Sequence, residues 1–599
     1  MRAPPPALSR SSRSLGWTVA AASGVCLVPY LLAIDHYLFE DDFMVFYYFG
    51  RRPLWRFWEF FRGESLFFYR PLGNWLMAAV FRVAGLNAAP FNVLLVLLWA
   101  ATTWLFWRLV RDWLPWTGSM PWTGSVARTG SVTRTGSMAP AGPLVAVGFY
   151  LAAGPATGHL FFWASTLPSA VACCLYLHGL RSWWHEMRRA APRPGRLLAV
   201  GIMLAAANLT KESYLSWAVL FLWIVLGRHW ARFRVGPTEA WGDVRSSGRA
   251  SANAADGVGA ADGVGGARGC LGWAIAALAL PLLAGVVAVV MSVRHAETLN
   301  PTVDRAYQVA AVHLWPWQIA QALSRVCLPV SDATGGWGRG PYFGLPLSGI
   351  VEFLVVKAPV IPVALLAAAI RRRSGVALFG LAWALLAMTP SGFTEIYMSA
   401  RYLHAASFGM ALAVGAVLGA PLATLWRRDV SQPIVPIRQT VARTAVAVAA
   451  TAYLLLCVAK TDLLFQTLRS RLEIVRELAS AFREEDVSRG AEGQIYIVDL
   501  ADGVGGADGV GEGDGVGGAG LRNLGLEEFA RLVLGRDNVS ALTADSFEGL
   551  DAFGFYSKTY PIQIYLRYDG ARFHAQATGE SGRSAPGSSR PARRQPRNP

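Results

Sequence analysis

Charge and cysteine are both scarce in this sequence. Only 16% of the 599 residues are charged, whereas 53% are hydrophobic. Soluble domains carry about 25% charged residues, so the composition excludes an ordinary soluble protein. The six cysteines form no CxxC motif and no regularly spaced pair, which leaves no pattern for a disulfide framework or a zinc site.

Nucleic-acid-binding motifs are also missing, although the formal net charge is +16. The arginines cluster in short loops between apolar segments, which is how membrane topology is encoded. No zinc-finger pattern or RNP-like run accompanies them. The sequence therefore argues against nucleic acid as a partner and indicates the lipid bilayer instead.

Long apolar runs are what the chain has in abundance. The first, from about Ser14 to Ile34, is long enough to cross a hydrocarbon core of about 30 Å. No small-residue cleavage site precedes His36, so we interpret this run as an uncleaved transmembrane helix. Further runs bring the predicted crossings to about eleven, near residues 90–110, 144–159, 160–180, 197–208, 213–226, 271–293, 350–370, 375–388, 403–425 and 442–458.

The arginine-rich loops orient these helices. If the N-terminus is cytoplasmic, alternate loops are basic and the turns near Pro155 and Asn208 are nearly free of charge, as the positive-inside rule requires. Residues after 460 then lie outside the cytoplasm. The first outer loop, residues 36–89, is basic as well, which indicates an anionic partner for its arginines, Arg51, Arg52, Arg56, Arg62 and Arg70.

The predicted fold class is mainly α: a polytopic membrane protein with a small α/β soluble domain at the C-terminus. Residues 1–460 form the transmembrane domain, whose outer loop 36–89 carries amphipathic pieces at Arg51–Phe61 and Leu72–Ala84. These pieces suit helices that lie in the interface plane. Residues 461–575 form the extracytoplasmic domain, and residues 576–599 form a disordered basic tail.

Within the predicted C-terminal domain the pattern indicates a strand at Gln494–Val498, a helix at Leu526–Leu534 and a hairpin at Pro561–Phe573. Low-complexity inserts occupy residues 117–138, 255–266 and 501–520. The DGVG repeats in two of them have a period of six, whereas calcium β-roll repeats have nine. We interpret the inserts as expanded loops without a site.

Three carboxylates, Glu40, Asp41 and Asp42, follow the first apolar run directly. In one interpretation, Asp41 or Asp42 caps an aromatic helix at Phe43–Phe49. In the other, a carboxylate at the membrane–water boundary serves as a general base or cation ligand. This stretch alone leaves both open.

The predicted topology collects further polar residues on the same outer side. Each has a simpler interpretation: an interfacial residue that reaches water, a solvated ion pair, or a packed polar side chain. Together, carboxylates with Lys and Arg at one bilayer face describe a site that activates a hydroxyl and holds a phosphate. The residues are His159, Lys211, Glu212, Glu395 and Arg401.

Several short motifs occur in a fixed order between residues 14 and 425. After the acidic pair come Tyr-Arg-Pro-Leu at 69–72, Asn-Val-Leu-Leu at 92–95, a turn from Pro155 to Trp163, Thr-Lys-Glu at 210–212 and Arg-Tyr-Leu at 401–403. In these motifs the sequence resembles the GT-C superfamily of polytopic glycosyltransferases. Within it, the sequence is most similar to bacterial protein O-mannosyltransferase-like enzymes and TPR-bearing mannosyltransferases, although no TPR repeats follow here.

The resemblance implies that a hexose such as mannose passes, with inversion, from a polyprenyl-phosphate donor to a protein or glycan acceptor. The reaction would take place at the outer face of a bacterial inner membrane, in protein glycosylation or cell-envelope synthesis. Asp41 would be the general base, with Asp42 beside it, and the donor phosphate would be held by Arg70, Lys211 and Arg401. A developing phosphate charge must be neutralised before this group can leave.

The resemblance gives supporting roles to Tyr69, Glu40, His159, Glu212 and Glu395. It requires no cofactor other than an optional divalent cation, for which Asp41 and His159 are the candidate ligands. Relatives often carry an acidic residue where His159 stands, and this departure weakens the case for a metal site built on two carboxylates.

Other classes of protein remain open at this point. A transporter or flippase for a lipid-linked or anionic solute places charged residues near mid-membrane, often on broken helices. A membrane scaffold needs no outer cluster of charged residues. An oligosaccharide ligase or polymerase also uses lipid-linked donors on the outer face.

Overall fold

The computed structural model describes residues 41–62, 69–114, 141–153, 166–187, 189, 193–211, 360–372, 374–392, 400–426, 437–489, 494–500, 526–543, 562–568 and 572–577, with parts of 24–38, 273–294 and 319–327. The predicted crossing at 213–226, the three low-complexity inserts and the basic tail beyond residue 577 lie outside these residues.

The chain divides into two compact units. The first comprises Met1–Leu38 and Tyr48–Arg469, and the second comprises Phe39–Tyr47 and Ser470–Pro599. The domain boundary that the sequence predicts at residues 460–461, with all of the first outer loop in the helical domain, stays a prediction. The second compact unit includes Phe39–Tyr47, the segment that contains Asp41 and Asp42.

The helices account for most of the described chain. In chain order they are α1 (Asp41–Val45), α2 (Pro71–Ala84), α3 (Ala88–Trp113), α4 (Ala141–Ala153), α5 (Leu167–Met187), α6 (Pro194–Thr210), α7 (Val360–Arg371), α8 (Gly375–Gly392), α9 (Ala400–Trp426), α10 (Ile437–Arg489) and α11 (Leu526–Leu534). A π-helical turn, Phe46–Gly50, continues α1, and a 3-10 turn covers Phe57–Phe61.

Of the two helices predicted in the first outer loop, one is present and the other is helical only in part. The predicted helix at Leu72–Ala84 is present as α2. In the stretch Arg51–Phe61, for which an interfacial helix was predicted, only Phe57–Phe61 is helical. Arg52 and Arg82 hold this stretch through its backbone carbonyls, Arg82 by bonds to Gly50 and Arg51 at 2.7 and 2.9 Å. Hydrogen bonds from these arginine side chains satisfy the backbone carbonyls that would otherwise accept hydrogen bonds within a helix.

The turn between α2 and α3 shows how local sequence sets helix boundaries. Pro71 opens α2, where its missing N–H would have no helical partner in any case. Gly85 ends α2 with a φ of 58°, which glycine adopts at little cost. The side chain of Asn87 then accepts a hydrogen bond of 3.1 Å from the Ala89 amide and caps α3.

Glycines let α4, α8 and α9 pack with their backbones close together. A Cβ on Gly409 of α9 would lie 2.5 Å from the Ala384 nitrogen of α8, and one on Gly415 would lie 2.6 Å from Cβ of Ala146 in α4. Small residues at crossing points are typical of helices packed within membranes. These contacts make α8 and α9 antiparallel neighbours, with α4 against the other side of α9.

Contacts along α3 and α5 show that these two helices run parallel. Thr102 of α3 lies 3.1 Å from Cys174 of α5, and further along both helices the ring of Trp113 packs on that of Trp184 at 5.3 Å. α6 runs back against α5. Near the start of α6, Arg196 pairs with Glu186 at 3.2 Å, close to the end of α5.

The direction of α4 follows in the same way. A Cβ on Gly142, at the start of α4, would lie 3.3 Å from Leu114, just beyond the end of α3, and near its end Tyr150 contacts His404 of α9. The starts of α3, α5 and α9 and the ends of α4, α6 and α8 therefore point the same way. We call this side of the first unit the site end.

Three stretches of described helix are long and apolar enough to cross a membrane: Ala88–Trp113, His404–Leu422 and Ile437–Ala459. Shorter apolar helices accompany them at Ala141–Ala153, Pro194–Thr210, Ala277–Met291, Val360–Arg371 and Gly375–Met388. Large apolar side chains on these helices are exposed, among them Leu97, Val448 and Leu455. Because such surfaces are covered by lipid, these features indicate an integral membrane protein.

A four-stranded sheet organises the second unit. Its strands are β1 (Gln494–Leu500), β2 (Val539–Thr543), β3 (Ile562–Tyr568) and β4 (Phe573–Ala577), in the order β2-β1-β3-β4. β1 is parallel to both neighbours, and β3 and β4 pair antiparallel. β1 is buried on both faces, as expected for the central strand of such a sheet. α11 has the bounds that the sequence indicated.

Candidate functional site

Arg70 and Lys211 flank the point where α2 meets α6. Arg70 is the residue before α2, and Lys211 is the residue after α6. Gly73, in the first turn of α2, packs so closely on Thr210 that a Cβ there would lie 2.6 Å from the Thr210 carbonyl oxygen. This glycine contact brings together two basic residues that are far apart in the sequence.

The start of α5 reaches the same place. A Cβ on Gly73 would also lie 3.0 Å from Cβ of Pro168, in the first turn of α5. Two helix N-termini therefore meet beside Arg70 and Lys211. The first amides of a helix have no acceptor within it and carry partial positive charge, so this arrangement suits an anion.

Buried polar side chains surround this junction. Tyr69 donates a hydrogen bond of 3.1 Å to the Phe61 carbonyl, and burial raises the pKa of its phenol. Asn74, Thr166 and Ser169 are buried in the first turns of α2 and α5. No sequence signal identified these three residues, because an isolated polar residue beside an apolar run does not indicate which groups it contacts.

Arg401 lies in the first turn of α9, whose start points to the site end. One turn later His404 is buried, and its Nε2 lies 3.0 Å from the Tyr150 hydroxyl of α4. The rings of Phe106 and Phe408 pack around this pair. The start of α9 is thus fixed by aromatic packing against α3 and α4, which share the unit with Arg70 and Lys211.

Asp41 and Asp42 open α1, in the second unit. The helix begins at Asp41, so both residues lie in its first turn. The capping interpretation instead placed them before a helix that starts at Phe43. Asp42 is fully buried. Phe43 packs on Phe529 of α11, with ring centroids 4.4 Å apart.

An asparagine fixes the chain where it leaves the first apolar run. Asn92, in the second turn of α3, donates from Nδ2 to the carbonyls of Ile34 and His36 at 2.9 and 3.2 Å. The chain therefore leaves the first run beside the start of α3, at the site end. Asp41 follows His36 by five positions in the sequence.

The other predicted site residues lie outside the described part of the chain: Glu40, His159, Glu212 and Glu395. Among the described residues, no group of three or more His, Cys, Asp or Glu side chains could hold a metal ion. His159 as a cation ligand therefore stays a prediction.

Comparisons with known proteins give little further guidance. No family model and no curated protein matches the chain. Solved structures that match it include two of ArnT from Cupriavidus metallidurans. The structure bound to undecaprenyl phosphate is 13% identical over 93% of this chain and 97% of that one, with a TM-score of 0.43. The apo structure is 12% identical over 93% of this chain and 94% of that one, also with a TM-score of 0.43. Values this low define neither a family nor a fold.

Proposed function

We propose that this chain is a membrane glycosyltransferase of the GT-C type. It would transfer a sugar from a polyprenyl-phosphate donor to an acceptor hydroxyl on the non-cytoplasmic face, with inversion. The observation that carries the proposal is the junction at Gly73, where Arg70 and Lys211 lie beside two helix N-termini. The ordered motifs of the sequence, from Tyr-Arg-Pro-Leu to Arg-Tyr-Leu, support it independently.

The phosphate is the part of the donor that this junction suits. When the acceptor oxygen bonds to the anomeric carbon, the bond from that carbon to the phosphate oxygen breaks, and polyprenyl phosphate leaves with an added negative charge. Arg70 and Lys211 would meet this charge as it develops, with Arg401 as a third cation. Fixed positive groups aimed at developing charge are often the largest contribution to catalysis.

The proton of the acceptor hydroxyl needs a base on the opposite side of the sugar. Asp41 is the candidate that the ordered sequence motifs give, whereas Asp42 is fully buried. Asp42 would then support α1 rather than touch the acceptor. A positioned carboxylate base contributes about 10²–10⁴-fold to the rate.

The phosphate role of Lys211 can be tested in lipid nanodiscs with a panel of polyprenyl-phosphate sugars. Replacing Lys211 by Met removes the charge but keeps an unbranched side chain of similar length. We expect kcat/KM to fall about 100-fold, as for the loss of one oxyanion-binding donor. Donor consumption is measured as the amount of polyprenyl phosphate released.

The matched control is Arg371→Met, which removes an exposed cation from the end of α7. This variant should retain wild-type turnover. Full activity of Lys211→Met would remove Lys211 from the phosphate site. In sealed proteoliposomes, movement of intact donor across the bilayer without sugar transfer would favour the flippase. Extension of a lipid-linked glycan would favour the ligase or polymerase.

A further inference from the structure

We propose that the C-terminal unit is a positioning device for the acidic stretch, through Phe529 and Arg531 of α11. This inference rests on the proposed function, because it assigns Asp41 as the base. It concerns a different part of the molecule, namely the contacts by which the second unit holds Phe39–Tyr47.

A helix as short as α1 cannot hold its own conformation. Five residues close barely more than one turn, and isolated helices shorter than about 12 residues are marginal in water. The π-helical turn that follows adds less regular hydrogen bonds. The position of the α1 backbone, which carries Asp41, must therefore be set by whatever packs against α1.

The first contact is apolar. The Phe43 ring packs on Phe529 at 4.4 Å, Phe529 packs on Phe482 of α10 at 5.6 Å, and Phe482 packs on Tyr496 of β1 at 4.7 Å. All four side chains are fully buried. The acidic stretch is thus joined by a continuous row of rings to the central strand of the sheet.

The second contact is polar and lies one helical turn further along. Arg531 donates from Nη1 to the Tyr47 hydroxyl at 3.2 Å, and that hydroxyl donates to Oδ1 of Asp537 at 3.3 Å. Arg531 is itself held, because its Nε donates to the Val539 carbonyl at 3.0 Å. It also pairs with Glu527 one turn back on α11.

Phe43 and Tyr47 are four residues apart, so they lie on the same face of the helical segment. One is fixed by packing and the other by hydrogen bonds, both against α11. The contacts of Phe43 and Tyr47 together fix the orientation of this short helical segment. The backbone at Asp41, two residues before Phe43, is positioned by the same contacts.

This role predicts a separation between binding and turnover. Arg70 and Lys211, the proposed phosphate ligands, belong to the first unit, whereas Asp41, the proposed base, belongs to the second. Loosening α11 from α1 should leave the KM for donor unchanged and lower kcat, since a misplaced base affects only the transition state. A displacement of about 1 Å can cost up to about 100-fold in rate.

The experiment uses the full chain in lipid nanodiscs with two variants, Phe529→Ala and Tyr47→Phe. Phe529→Ala removes the apolar contact, whereas Tyr47→Phe removes only the hydroxyl. Tyr47→Phe is therefore expected to fold even if Phe529→Ala does not. We expect kcat to fall about 10-fold or more in each, with unchanged KM for donor. Amide exchange over residues 41–47 should be faster in both, with residues 71–84 unaffected.

Two further variants make the test specific. Phe529→Leu restores an apolar side chain and should recover part of the lost kcat. Phe573→Ala opens a comparable gap in β4, on the far side of β3 from β1, and should lower stability without changing kcat. Unchanged exchange at 41–47 in both variants would overturn the inference, as would faster exchange with wild-type kcat.

Failure of the proposed function has a different signature. An active Asp41→Asn variant would exclude Asp41 as the base, whereas the exchange of residues 41–47 would still respond to Tyr47→Phe. Loss of activity in Asp41→Asn with exchange like that of wild type would support Asp41 as the base, whereas kcat and exchange in Phe529→Ala and Tyr47→Phe decide the positioning role.

Discussion

A single carboxylate on α11 shows how burial and charge compete at the residue scale. Glu527 lies half-buried in the first turn and pairs with Arg531. Burial raises its pKa above the ordinary value, and this effect outweighs the opposing influence of Arg531. The folded second unit therefore binds a proton at Glu527 more tightly than the unfolded chain does.

The sign of the resulting pH dependence follows from linkage. With a raised folded pKa, Glu527 makes its most favourable contribution at low pH. That contribution is lost as pH rises from the unfolded Glu pKa of about 4.3 through the folded pKa. The variant Glu527→Gln resembles the protonated form and should remove this part of the pH dependence.

The measurement is the opening free energy of residues 526–543, obtained from amide exchange corrected for intrinsic rates between about pH 4.5 and 7.5. Glu528→Gln removes the same charge from the adjacent residue and serves as the control. A Glu527→Gln variant whose opening free energy varies with pH as in wild type would contradict the assignment.

At the scale of elements, the crossing of α2 over α6 decides whether Arg70 and Lys211 can act together. Gly73 makes the crossing close, and Pro168 of α5 closes it from the other side. Neither Arg70 nor Lys211 creates this proximity. The close packing of the α2 and α6 backbones brings Arg70 and Lys211 near each other. The two basic residues can therefore bind one ligand without contacting each other.

The variant Gly73→Ala tests this crossing. Its Cβ meets the Thr210 carbonyl oxygen of α6 at 2.6 Å, so the two helices must move apart. We expect a loss of about 1–3 kcal/mol in stability, as for other overpacked sites, and an increased KM for donor. Thermal unfolding and steady-state kinetics in nanodiscs would measure both.

Gly148→Ala is the matched control, because no atom outside α4 lies within 4 Å of a Cβ at Gly148. It makes the same chemical change within another apolar helix and should leave KM unaltered. An unchanged KM in Gly73→Ala would indicate that the crossing does not set the spacing of the two cations.

At the scale of the whole molecule, helix directions set which residues share a side of the membrane. α6 ends at the site end, whereas α7 ends and α8 begins on the opposite side. Ion pairs hold that opposite side: Asp112 of α3 pairs with Arg181 of α5 at 2.7 Å, and the buried Glu186 of α5 pairs with Arg196 of α6. The orientation in which the positively charged loops of this side face the cytoplasm stays a prediction from the sequence.

Cysteine labelling in intact cells tests this topology. An impermeant maleimide should label Lys211→Cys from outside, and it should label Arg371→Cys only after permeabilisation. The described cysteines are buried or half-buried, and Cys270 is replaced by Ser to remove the remaining one. Equal labelling of positions 211 and 371 before permeabilisation would refute the predicted orientation.

The sequence by itself determined the class of protein and much of its local structure. Low charge and long apolar runs specify helices in lipid, because only such segments satisfy their backbone within the bilayer. Gly85 sets the end of α2, Asn87 sets the start of α3, and the run of β-branched and aromatic residues at Ile495–Val498 indicated β1. These features depend on interactions between residues that are close in the sequence, so they can be predicted from the sequence alone.

Only the tertiary structure decided which distant residues meet. The contact of Gly73 with Thr210 and the packing of Phe43 on Phe529 join positions far apart in the chain. No local pattern encodes such pairs, since any buried phenylalanine or helix-end glycine has many apolar partners open to it. The acidic stretch was therefore predicted as part of the helical domain, although its aromatic residues are buried in the C-terminal unit.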